Sequence, residues 1–194
     1  MSLVMAIVCT DGIVVSGDFR KTEFKMNPQT GEKRIVGFSD NTHKLVRTKS
    51  NRIVGHTGNT MLNDGRDIDS AIQDTLFLTE TLGLSLFDEF VHLVGCIGTS
   101  QNAIIEAGIE NGKKFVFIWR KGDANMSFNH TGGSIGDTDA LEKYKPILEE
   151  KQKSITVDEA KKLLQEYNQL VANETPTISP ECETMVIKPT NLNQ

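Results

Sequence analysis

The chain lacks any apolar run long enough to span a bilayer, and its N-terminus has neither the basic stretch nor the small-residue cleavage site of a secretion signal. Cysteine is scarce: Cys9, Cys96 and Cys182 are far apart and odd in number, which argues against a disulfide framework and for a reducing compartment, the cytoplasm by default. Positive charge is also short. Lys and Arg number 21 against 26 Asp and Glu, giving net −5 and a pI near 5.4, and broad nucleic-acid binding wants the opposite balance. His43, His56, His92 and His130 show no ligand spacing, and the glycine-rich stretch 132–136 has no following Lys-Ser/Thr. Neither a metal, a nucleotide nor any other cofactor is therefore expected.

What is present describes a globular chain. Hydrophobic residues make up 38%, charged residues 24%, and mean hydropathy is −0.29. At 194 residues a single domain over 1–194 buries roughly 70% of its unfolded surface and needs no staple.

Residues Leu3 to Cys9 and Ile13 to Val15 are apolar runs around Thr10-Asp11-Gly12, and Asp-Gly between such runs is a strong hairpin signal. A strand thus starts almost at residue 2. Lys21 to His43 is mostly polar and reads as a projecting hairpin or long loop about Asn27-Pro28-Gln29-Thr30-Gly31. Short strands are expected at Lys44 to Arg47 and Arg52 to Gly55, then helices over Thr60 to Leu82 and Ser85 to Ile97 from their three- and four-residue apolar spacing.

Ala103 to Ile109, Lys113 to Arg120 and Asn125 to His130 read as three antiparallel strands, with Trp119 in the core or on a sheet face. Thr131 to Asp137 reads as a small-residue loop before a short helix that Pro146 interrupts or closes. Thr156 and Glu159 form a capping box for a helix over Val157 to Val171, and Glu183 to Lys188 is a last strand. Helices do not alternate singly with strands, so the α+β class with two antiparallel sheets covered by helix pairs is favoured.

These residues carry a resemblance. A hairpin ending in Gly17-Asp18-Phe19-Arg20, then Lys44 opening the next strand and Gly58 fourteen residues on, resembles the proteasome-like N-terminal nucleophile hydrolases. That group includes proteasome β-subunits and the bacterial ATP-dependent peptidase related to them. The resemblance covers most of the chain and implies a four-layer αββα sandwich. It also implies an amide-cleaving enzyme whose nucleophile is the first residue of the mature chain, which the spacing from Asp18 places at Ser2.

By the same resemblance Asp18 and Lys44 pair beside the nucleophile, Arg20 braces the strand end, and Gly58 offers its N–H to the oxyanion. Ser134 and Asp137 lie in the loop that supports the terminal amine, Asp137 being the better placed. Peptides or small amides are the implied substrates, with a homo-oligomer and an ATPase as implied partners.

Two departures accompany it. Where the family has an acidic residue and then a serine after the long late helix, this chain has Asn173-Glu174-Thr175-Pro176-Thr177-Ile178-Ser179, leaving only Glu174 to substitute. Met1 precedes Ser2, and Met1-Ser2-Leu3 reads equally as native sequence or as an added leader. If Met1 stays, Ser2 has no free amine. Beside the enzyme stands a non-catalytic reading, in which the fold serves as a structural or interaction subunit and Asp18 with Lys44 is a register-fixing ion pair. Cys9 is expected to be a buried strand residue.

Overall fold

The computed structural model describes residues 2–97, 102–121, 127–136 and 154–189. The elements run β1 (Leu3–Val8), β2 (Ile13–Asp18), β3 (Lys21–Met26), β4 (Lys33–Ser39), β5 (Leu45–Arg47) and β6 (Ile53–Gly58). Helices α1 (Ile68–Leu82) and α2 (Leu86–Ile97) follow, then β7 (Asn102–Glu110), β8 (Lys113–Arg120), β9 (Ser127–Asn129) and β10 (Gly132–Gly136). Helix α3 (Val157–Glu174) and β11 (Cys182–Ile187) complete the order. No described helix is long and apolar enough to cross a membrane.

The architecture is mixed α and β with antiparallel sheets. One sheet has the order β10-β1-β2-β11, a second β5-β6-β7-β8-β9, and β3 with β4 forms a separate two-stranded ribbon. The Asp-Gly hairpin is as the sequence implies: Cys9 N–H donates to Gly12 O at 2.8 Å, and Asp11 Oδ1 accepts from Val157 N–H at 2.8 Å. One carboxylate thus caps the start of α3 and fixes the first turn against it.

Strand alternation sorts the core into three layers of apolar side chains. Leu3, Met5 and Ile7 face α3 through Leu164, Tyr167 and Val171. Val4, Ala6 and Val15 meet Ile53, Ile105 and Ile118 of the second sheet. On that sheet's far side Val54, Ile104 and Phe117 pack against Ile72, Phe90 and Leu93 of α1 and α2. At about 1.5–3 kcal/mol per fully buried large apolar side chain, these layers are the dominant favourable term of the fold.

Three expectations shift. Helix α1 begins at Ile68 rather than Thr60, because Asp67 caps it through Asp69 and Ser70 N–H, while Met61 bridges Asp67 and Gly65 takes φ +86° in the turn between. Helix α3 runs on to Glu174, where Thr175 caps it and Pro176 prevents continuation. The stretch 132–136, read as loop, is an edge strand against β1. It lacks the bulky alternation of a strand, since its small residues are selected by close backbone approach: a Cβ on Gly136, at φ +133°, would lie 1.9 Å from Ser2 O. The short helix expected before Pro146 lies outside the described residues.

Candidate active site

The ends of β1, β2, β5 and β6 converge at one point. Asp18, at the last position of β2, is fully buried and works as a hub for backbone donors. Its Oδ1 accepts from Leu3 N–H at 2.7 Å, and its Oδ2 from Arg20 N–H at 2.9 Å and Ser179 N–H at 3.3 Å. The Leu3 bond pins the peptide immediately after Ser2. Ser2 is therefore held through its backbone, with 8% of its surface exposed.

Lys44, 3% exposed, approaches Asp18 Oδ1 at 2.9 Å. Its Nζ also donates to Asp18 O at 2.5 Å and Arg20 O at 2.9 Å. An ammonium has three donors, and all three are used. Lys44 thus acts on its surroundings as a fixed positive charge rather than as a donor to an incoming group. Burial pulls its pKa below the ordinary 10.5, while the Asp18 charge and hydrogen bond pull it back up. The backbone of Lys44 is held too: Glu183 Oε1 accepts from Lys44 N–H at 2.8 Å and Leu45 N–H at 3.2 Å, and Glu183 Oε2 meets His43 Nδ1 at 3.0 Å.

Arg20 is spent on scaffolding. Its Nε and Nη2 engage Asp40 at 2.6 and 2.5 Å, and Nη1 donates to the carbonyls of Pro176 and Ile178 at 2.8 and 3.2 Å. The Asp40 hydrogen bond raises the guanidinium pKa further and lowers that of Asp40. This clamp brings the segment after α3 to the strand end, and so sets Ser179 against Asp18.

Gly58 ends β6 at φ +113°, a left-handed backbone that favours glycine. It lines two cavities, and Ser2 lines both. The larger, about 630 Å³, is walled by Arg20, Phe24, Lys44, His56 and Met61. The smaller, about 360 Å³, is walled by Thr57, Asn102, Arg120 and Gly136. Ser2, Lys44 and Gly58 thus share one cavity with Arg20 at its rim. Ser134 is elsewhere: it pairs with Met5 in the β1/β10 ladder, its carbonyl accepts from Arg120 Nη2 at 2.7 Å, and it lines neither cavity. Asp137 lies outside the described residues.

Sequence reading did not single out Glu183, Asp40, or the His56/Asp69 pair at 2.8 Å that ties β6 to α1 beside the larger cavity. Ser179 appeared there only as part of a departure from the family pattern. Cys9 is buried and its thiol is pushed up to about 11, chiefly by burial, which keeps it un-ionised at neutral pH.

The geometry can be set beside known structures. A eukaryotic HslV from Trypanosoma brucei superposes with TM-score 0.66 at 12% identity, over 96% of this chain and 99% of that one. The Anbu Gly-1 mutant from Hyphomicrobium sp. strain MC1 superposes at TM-score 0.66 with 15% identity, over 97% of this chain and 82% of that one. Anbu itself from the same strain gives 0.60 at 15%, over 96% and 82%. The fold is the proteasome-like N-terminal nucleophile hydrolase fold. No protein-family model and no curated protein sequence matches the chain. At such identities the likeness concerns backbone architecture, and the chemistry rests on this chain's own residues.

Proposed function

We propose that this chain is a single-domain N-terminal nucleophile amidohydrolase in a four-layer αββα sandwich, with Ser2 as nucleophile once Met1 is removed. One observation carries the reading: Ser2 shares a cavity with Lys44 and Gly58 while Asp18, paired to Lys44, holds the Leu3 N–H next to it.

In this proposal the free α-amine of Ser2, with an ordinary pKa near 7.7–8.0, takes the proton of its own hydroxyl as Oγ attacks the substrate carbonyl carbon. The oxygen of that carbonyl becomes an oxyanion facing Gly58 N–H, where one donor typically contributes about 2.7–4 kcal/mol. The C–N bond then breaks, the amine leaves with the proton, and an acyl-Ser2 ester remains. Water, deprotonated by the same amine, releases the carboxylic acid and restores the hydroxyl. Lys44 contributes a buried positive field that favours the ionised oxygen. A cavity of about 630 Å³ suits a small amide or one to two residues of a peptide. A homo-oligomer in the cytoplasm, with an ATPase partner for the peptidase form, accompanies this reading.

A second reading has its own support. Every proton of the Lys44 ammonium and both Asp18 oxygens are occupied in joining chain ends, as a structural ion pair would be. In that case the chain is a non-catalytic subunit. Intact mass after native expression separates the two: complete retention of Met1 removes the Ser2 mechanism. With Met1 gone, an electrophilic N-terminal-nucleophile inhibitor should add once per chain and not at all to Ser2→Ala. Absence of labelling together with absence of amide hydrolysis supports the structural subunit.

A further inference from the structure

Two cavities meet at Ser2, and their walls differ in charge. In the larger one Arg20 is joined to Asp40 and Lys44 to Asp18, Glu23 stands in the same wall as Lys21, and Phe24, Val36 and Met61 supply apolar surface. The smaller one, about 360 Å³, has Arg120 and Lys121 in its wall and no carboxylate among the described residues. Arg120 is anchored there, its Nη2 donating to Ser134 O at 2.7 Å. Lys121 is exposed, and no carboxylate among the described residues pairs with its ammonium.

Asn102 lines the same cavity and is 3% exposed. Both its Nδ2 and its Oδ1 are buried without a hydrogen-bond partner among the described residues. Native proteins seldom leave such a group unmatched, because its desolvation is then uncompensated. The main chain fixes where it stands: Asn102 O accepts from Lys121 N–H at 3.3 Å, and Asn102 pairs with Gly58 across the β6/β7 ladder. A cation and an unsatisfied amide therefore lie next to the residue whose N–H would face the oxyanion.

We propose that the smaller cavity binds a carboxylate of the substrate, with Lys121 and Arg120 supplying charge and Asn102 Nδ2 a hydrogen bond, while the larger cavity takes an apolar group on the other side of the scissile amide. The substrate class is an amide with an apolar group on one flank and a carboxylate on the other. An N-acyl amino acid has this form, and so does the mono-amide of a dicarboxylic acid. In either, the amide N–H is a donor of the kind Asn102 Oδ1 lacks. The inference rests on the Ser2 reading, because Ser2 is the residue that stands between the two cavities.

The test reads binding rather than hydrolysis. Titration calorimetry of the full chain carrying Ser2→Ala compares N-hexanoylglycine with N-hexanoylglycinamide, and N-hexylsuccinamic acid with N-hexylsuccinamide. The carboxylate lies on the leaving amine in the first pair and on the acyl side in the second. In at least one pair the acid should bind about tenfold more tightly than its uncharged amide, and the pair that shows this assigns the flank. Lys121→Glu alters an exposed side chain and should abolish the difference. Lys113→Glu, exposed at the other end of β8 and outside both cavities, should keep it. Equal binding of acid and amide in both pairs, no measurable binding, a difference that survives Lys121→Glu, or one that Lys113→Glu also removes would each overturn the proposal. Inhibitor labelling at Ser2 without any preference for the acid removes this site and leaves the nucleophile. A preference for the acid in a chain that never cleaves an amide leaves the site and removes the nucleophile.

Discussion

Asp18→Ala should be far more damaging than Lys44→Met, although the two residues form one ion pair. Removing the carboxylate strands a buried ammonium, which in comparable sites costs about 3–5 kcal/mol. It also orphans the buried Leu3 and Ser179 N–H groups, at about 1–3 kcal/mol each. The sum is at least about 5 kcal/mol, a third or more of the whole stability of an ordinary domain, which is about 5–15 kcal/mol. Lys44→Met also breaks the pair and takes a donor from the Asp18 and Arg20 carbonyls, but a carbonyl tolerates under-satisfaction better than an N–H, and the carboxylate keeps its three backbone donors from Leu3, Arg20 and Ser179. The two variants should therefore differ by about 1 kcal/mol or more, which for a chain of this length is a Tm gap of about 2–4 °C. Paired thermal and urea melts at neutral pH measure it. Equal Tm values, or Lys44→Met as the weaker protein, would refute the view that Asp18 is first a backbone anchor and only second a partner for Lys44.

Thr156→Ala should lose the capping box of α3 at a cost of about 1 kcal/mol, lowering Tm by about 2–4 °C without changing inhibitor labelling. Gly136→Ala should cost more than about 2 kcal/mol through its backbone conformation alone, and the new Cβ would displace the Ser2 carbonyl, so labelling at Ser2 should fall with stability. Glu106 is fully buried beside Glu89, with Arg52 Nη1 at 3.6 Å. Burial first, then the Glu89 charge, raises its carboxyl well above the ordinary 4.5. The folded state then binds this proton more tightly than the unfolded state. Its contribution is fully present below pH 4.5 and is lost as pH rises through the raised value. Urea melts of Glu106→Gln against pH should lack that decline; an unchanged slope would place the proton elsewhere.

What the sequence made legible is what local chemistry encodes. Thr10-Asp11-Gly12 and the Thr156/Glu159 box announce their own geometry within four residues, and both are found as expected. The helical periods of α1 and α2 gave the elements but not the start of α1, because the Asp67 cap and Gly65 turn lie inside an apparently periodic stretch. Strand β10 was invisible: it is specified by contact with β1, not by its own side chains. Asp18 and Lys44 were singled out through resemblance, since a lone Asp and a lone Lys carry no local signature. Glu183 could not be found, as it acts on Lys44 across 139 residues. The ring-like polar hub around Asp18 is a product of topology, and topology is written in long-range register rather than in motifs.

The way residue 2 is gripped has a consequence for how this molecule could be controlled. Asp18 reads the peptide after residue 2 and Gly136 packs against the carbonyl of residue 2, so both contacts are with main chain. Under the proposed Ser2 mechanism, the scaffold that holds residue 2 is thus separate from the group that would react. The same folded body would serve before and after an aminopeptidase acts, and the timing of one proteolytic cut, rather than any refolding, would decide when a reactive amine exists.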